Sequence, residues 1–155
     1  MKKEDFMKLA IKLAVENVSN GGGPFGAVIV RDNKVIATGV NRVTANNDPT
    51  AHAEVSAIRA ACSELQTFDL SGCDIYTSCE PCPMCLGAIY WAHIDHIYYG
   101  CNKYDAAAAG FDDSFIYDQL RLDYDRRSIH CEHFMRDEAL SAFRKWSSYT
   151  DKIKY

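Results

Sequence analysis

Nowhere in the 155 residues does an apolar run approach the roughly 18 residues that a membrane crossing requires. The longest wholly apolar stretches, such as Ala27–Val30 and Leu86–Ala92 (with Gly87), stop far short. Basic charge is also scarce: Lys+Arg number 17 against Asp+Glu 21, a net charge of -4. A nucleic-acid binder normally carries a basic surplus, because neutralising phosphates supplies most of its affinity. From Asp118 onward eight Lys/Arg face seven Asp/Glu, so no basic arm is concealed there. Proline-rich linkers and internal repeats are missing, and the low-complexity sequence is confined to Ala106–Ala109. The opening Met-Lys-Lys-Glu-Asp, followed by alternating charged and apolar residues, does not read as a signal peptide. What is left is one soluble domain that takes a small neutral ligand, with no nucleic acid and no membrane as partner.

Cysteine, by contrast, is abundant and odd in number, at seven. A chain of this length folds without staples, so the thiols point to a reducing, cytoplasmic setting and to use as core residues or ligands.

Met7, Ala10, Ile11, Ala14, Val15 and Val18 recur at helical spacing, and Phe6, Leu9 and Leu13 widen the face, which predicts a helix over about 4–19. The run from Asn20 to Pro24 breaks it. Phe25–Val30 and Val35–Val40 read as strands joined by a two-residue turn at Asp32-Asn33. Asp48-Pro49 reads as a cap and first-turn proline for a helix from Thr50 to about Ser63. Asp74–Thr77 is a strand, Pro83 opens a helix to about Ala92, and His96–Gly100 is a further strand, parallel to its predecessor. Asp112–Leu122 reads as a helix, Ser128–Phe134 as an edge strand and Asp137–Tyr149 as a last helix. Alternating strands and helices predict an α/β fold: a three-layer α/β/α sandwich around a mixed, five-stranded sheet.

The chemistry lies in His52-Ala53-Glu54 and Pro81-Cys82-Pro83-Met84-Cys85. Two sulfurs three residues apart at a helix start can face one ion, and the helix N-terminus favours their thiolates. His52, from another helix start, supplies a third ligand. Three protein ligands leave one tetrahedral position open, the mark of a catalytic zinc site. In mid-helix, residues 52 and 54 would point apart, so Glu54 shares the site only if the pair lies at the helix entry. There it would take the proton of an attacking water and pass it to substrate. Read alone, HxE fits a solvated helix face; combined, H-x-E and P-C-x-x-C form a known signature of zinc-dependent base deaminases. Cys79 would need a cysteine in place of Ile89 to begin an iron–sulfur run, and is expected to be a packed thiol. Cys62, Cys73, Cys101 and Cys131 are expected in the core, and His93 and His96 in a surface turn.

Gly22-Gly23-Pro24-Phe25-Gly26-Ala27, Asp48 to Glu54, and Cys79 to Cys85 resemble the cytidine deaminase superfamily, over roughly residues 1–105. Ala109 to Tyr117 and the terminal Lys154-Tyr155 are similar to the bacterial guanine deaminases and extend the likeness along nearly the whole chain. The resemblance implies His52, Cys82 and Cys85 as ligands of one zinc per chain and Glu54 as proton shuttle. It implies Asn41 as the residue that hydrogen-bonds a purine, with the Ala53 amide beside it and Phe25 and Trp91 as apolar walls. It implies Asp113 as an acid serving the leaving amine. It also implies a homodimer that exchanges the C-terminal segment, about 105–155, so that Tyr155 closes the other subunit's pocket. On residue type alone Asn41 also fits a turn, Asp112-Asp113 a helix cap and Phe25 the core.

The activity so implied is hydrolysis of guanine to xanthine and ammonia. Guanosine, cytosine or a tRNA adenosine are the alternative substrates. A non-catalytic zinc-binding module is the alternative from another class, and it would have no use for Glu54.

Overall fold

The structure, a computed structural model, describes residues 2–155. These residues form two compact units, one ending at Ser114 and the other Phe115–Tyr155.

In the first unit, β1 (Gly26–Arg31), β2 (Lys34–Val40), β3 (Asp74–Cys79) and β4 (His96–Cys101) form one sheet in the order β2-β1-β3-β4. β1 pairs antiparallel with β2 and β3, and β3 pairs parallel with β4, so the sheet is mixed. The β1–β2 hairpin turns at Asp32 and Asn33, both with positive φ, the geometry that matches the twist of the strands. Its register skips Ile36.

β1 is apolar and buried on both faces from Gly26 to Val30, and only Arg31 at its end is charged and part-exposed. Val28 and Val30 meet Phe6 and Ala10 of α1 (Lys3–Ser19) together with Tyr76. Ala27 and Ile29 meet Ile75, Ile89 of α4 (Pro83–Trp91) and the alanines 53, 57 and 61 of α3 (Ala53–Leu65). Burying each large side chain here contributes about 1.5–3 kcal/mol. The alanines recur every fourth residue, so α3 lies close against β2. At the contact is Gly39, where a Cβ would sit 2.2 Å from the Ala53 carbonyl oxygen and 2.4 Å from the Ala57 nitrogen.

Several expectations are corrected. The sheet has four strands, not five: Ser128–Phe134 forms none, because alternation makes a strand only where a neighbouring edge supplies hydrogen bonds. The helix expected from Thr50 starts at Ala53, because the Asp48 carboxylate accepts the Thr50 N–H and closes a separate turn. Two short helices, α2 (Val43–Asn46) and α5 (Lys103–Ala108), were not foreseen. Cys73 is buried as expected, but Cys101 and Cys131 are exposed. On α1 only part of the apolar face is covered: Ile11, Val15 and Val18 remain exposed.

The second unit contains most of α6 (Ser114–Arg121), a 3₁₀ turn at Tyr124–Arg126 and α7 (Arg136–Ser148). None of its residues is buried.

Gly39→Ala should destabilise the fold by about 1–3 kcal/mol, because backbone rather than a flexible side chain opposes the new methyl group. A denaturant midpoint unchanged from wild type would show that α3 can move off β2 freely.

Candidate metal centre

His52 is the N-cap of α3 and Cys82 the N-cap of α4, both in extended conformation. Neither side chain caps its own helix. Their carbonyls nevertheless accept the first helical bonds, from Ser56 and Leu86. Each helix is therefore started by backbone alone, and both side chains are free for other work. Cys85 follows in the first turn of α4, fully buried.

The three donors converge. His52 Nδ1 lies 3.5 Å from the sulfurs of both Cys82 and Cys85, and all three ligand atoms lie within 4.8 Å of one another. A tetrahedral ion with Zn–S of about 2.3 Å and Zn–N of about 2.0–2.1 Å needs sulfur–nitrogen edges of about 3.6 Å. The trio fits zinc. Cys79, as expected, is not part of it: the thiol is packed beneath the strand end, and burial pushes its pKa up to about 11.

The sulfurs share their protons unequally. The hydrogen bond from the Cys85 thiol, aided by His52, draws Cys82 down to about 4 against the effect of burial. Cys85 is pushed up because it holds that shared proton and is itself buried. His52 is raised chiefly by its hydrogen bond to Cys82.

Glu54 stands in the first turn of α3, so the pair does lie at the helix entry. Its carboxylate is buried, which raises its pKa above the ordinary glutamate value. Oε2 faces the Cys85 sulfur at 3.4 Å, and Oε1 faces the Thr77 hydroxyl at 3.3 Å. Thr77, which sequence reasoning missed, also has the Cys79 carbonyl at 3.0 Å. Its signal was faint: a hydroxyl at an inward strand position, two residues after buried Ile75.

Asn41 is buried just beyond β2. Its Oδ1 accepts the Val43 N–H, and the neighbouring Arg42 N–H donates to the Ala51 carbonyl, one residue before His52. Ala53 is fully buried. Phe25 is half-buried with its ring edge-on to Phe111 at 5.0 Å. Asp113 is close enough for its charge to bear on His52 and Cys82. Its Oδ1 is buried without a hydrogen-bond partner among the described residues, and burial raises its pKa. Trp91, at the end of α4, is 68% exposed, and Tyr155 belongs to the second unit and is 76% exposed. His93 and His96 lie at the surface, as expected.

Ligation requires two thiolates and a neutral imidazole. The hydrogen bonds within the trio favour the protonated forms of Cys85 and His52 and the thiolate of Cys82. Zinc uptake should therefore release protons, and affinity should weaken as pH falls. Calorimetry in buffers of different ionisation enthalpy measures this release. Zero release would refute the protonation scheme.

Residues 1–101 match the cytidine and deoxycytidylate deaminase zinc-binding region. The chain is 53% identical over 156 aligned residues to guanine deaminase of Bacillus subtilis (strain 168), covering all of both chains. The X-ray structure of guanine deaminase from Bacillus subtilis superposes with a TM-score of 0.97 at 52% identity, over 100% of this chain and 99% of that one. A tRNA-specific adenosine deaminase of Aquifex aeolicus is 35% identical over 94% of this chain and 95% of its own. With its three ligands gathered at two helix starts and a buried carboxylate beside them, the chain belongs to the zinc-binding deaminase family of the cytidine and deoxycytidylate deaminases.

Proposed function

We propose that the chain hydrolyses guanine to xanthine and ammonia. The observation that carries this reading is the buried Glu54 carboxylate against the metal trio, on a chain similar to guanine deaminase from end to end. Zinc, when bound, lowers the pKa of water in its open position from about 15.7 toward 7. Burial raises the pKa of Glu54, which favours its taking a proton from the attacking water and giving it to a ring nitrogen. The attacked carbon becomes tetrahedral as its bond to the water oxygen forms; its bond to the amino group then breaks, the carbon returns to a trigonal carbonyl, and ammonia departs with a further proton. Glu54 or Asp113 delivers that proton. The unpartnered Oδ1 of Asp113 supports such a role.

Recognition falls to groups with fixed directions. The Asn41 carboxamide can donate and accept, as a purine edge requires. Ala53 is the first residue of α3, so no intrahelical carbonyl can take its N–H and that donor is available to the base. Phe25 forms an apolar wall. With α1 contributing to one buried cluster and α3 to the other, we also read the first unit as a three-layer α/β/α sandwich.

The same reading makes the molecule a cytoplasmic homodimer that exchanges its C-terminal segment. Supporting the cytoplasm, all seven cysteines are free. Supporting the exchange, Phe115–Tyr155 buries none of its side chains, although it includes Phe134, Phe143 and Trp146. The first unit carries a groove of about 770 Å³ lined by Ile11, Val15, Val18, Phe25 and Phe111. The second copy's segment would cover that groove and Trp91, and Tyr155 would close the pocket over the base.

Two measurements test this. Across a panel of guanine, guanosine, cytosine, adenine and tRNA, ammonia release should be fastest from guanine, and Glu54→Gln should lower kcat by about 10²–10⁴-fold with zinc retained. Guanosine outcompeting guanine would move the substrate assignment, and a fully active Glu54→Gln would end the shuttle. Sedimentation should give a dimer, and deletion of Lys152–Tyr155 should raise KM or lower kcat while zinc stays bound. A monomer, or a fully active truncation, would remove the exchanged segment and leave the metal chemistry standing.

A further inference from the structure

We propose that Asn17 is a positioning residue for base recognition. Its carboxamide clamps the glycine loop before β1 to the backbone of Asn41 and so sets the direction in which Asn41 meets the purine. The inference rests on the reading of Asn41 as a base contact.

Asn17 shares the buried face of α1 with Ala10 and Ala14, yet it is polar and only 4% exposed. A buried carboxamide is costly unless its hydrogens find acceptors. Both do. Nδ2 donates to the Gly23 carbonyl at 2.8 Å and to the Asn41 carbonyl at 2.9 Å. Two carbonyl acceptors can be addressed only by the NH₂ end of the amide, so its orientation is settled. The backbone carbonyl of Asn17 meanwhile accepts the Gly22 N–H at 2.9 Å. One residue thus ties the helix end to the glycine loop and both to the start of the β2–α2 connection.

The glycines are shaped around this clamp. A Cβ at Gly22 would lie 2.3 Å from Asn17 Nδ2 and 2.7 Å from the Asn41 carbonyl oxygen. A Cβ at Gly23 would lie 3.1 Å from Asn41 Cγ. Asn41 is held at every other point as well: its N–H donates to the Phe25 carbonyl at 3.2 Å, and its Oδ1 accepts from Val43 at 3.2 Å. With the Asn41 backbone and side-chain oxygen engaged, its Nδ2 is presented in one direction. Asn17 completes this frame by donating to the Asn41 carbonyl.

A residue that only glued the helix end would change stability and leave binding alone. A positioning residue changes binding at constant zinc. Asn17→Leu removes both donors at similar volume, Asn17→Asp keeps the shape but cannot donate, and Gly22→Ala expels the carboxamide from the other side. For each zinc-loaded protein, KM for guanine should rise about tenfold with kcat within about threefold, because misplacement of a positioning contact falls on binding first. The Kd for xanthine, measured by calorimetry without turnover, should weaken by the same factor. If Asn17→Leu does not fold, the other two variants carry the test. Asn41→Ala is the parallel control. Should it leave KM and Kd unchanged, the reading of Asn41 fails; should it weaken both while the Asn17 and Gly22 variants match wild type, the Asn17 proposal is overturned.

Discussion

The metal trio depends on two helices that begin at one point. An N-cap residue is extended while the next residue is helical, so its side chain leaves the helix axis and can turn toward a neighbour. His52 and Cys82 both use that freedom. Had either been one turn further in, its side chain would have been fixed to a helix face. The first turn then adds a second group from each helix: Cys85 completes the trio, and Glu54 lies against it. Both helix starts also bring unsatisfied N–H groups toward the same spot, which favours thiolates there.

That convergence is set by the sheet. β1 and β3 are buried neighbours, and α3 is pressed onto β2 through alanines at a point where only glycine fits. Alanine and glycine contribute little apolar area, so their presence in this layer reflects distance more than hydrophobic gain. The strand beneath also reaches this carboxylate, because Thr77 contacts Glu54 from β3. Burial performs two functions at once here. It excludes water from the Glu54 carboxylate, and by desolvation it raises the pKa of that group.

The surroundings of Asn41 are built differently. Asn41 sits where a strand has ended, and its direction comes from hydrogen bonds to loops rather than from a helix or strand ladder. Loops hold direction only when their polar groups are all engaged, and a buried amide such as Asn17 is a compact way to engage two carbonyls at once. The metal trio and Asn41 are thereby positioned by separate parts of the chain, joined through the Arg42–Ala51 backbone bond.

Much of this was legible along the chain. Spacing alone picked out His52, Cys82 and Cys85, placed each at a helix start and excluded Cys79, because metal ligation and helix capping are short-range and leave local patterns. The hairpin at Asp32-Asn33 and the parallel β3–β4 pair were legible for the same reason. Contacts between distant residues were not. Thr77 reads as an ordinary strand hydroxyl and Asn17 as a polar break in an apolar helix face, until folding sets them beside Glu54 and Asn41. The helix start at Ala53 was missed by three residues, because a turn closed by Asp48 competes with a cap there. The fifth strand was overcalled, since alternation at 128–134 cannot show whether an edge exists to pair with. Sequence by itself determined which atoms can bind the metal. Tertiary structure alone decided which buried groups orient them, because hydrogen bonds across 20 or more residues depend on where the layers meet.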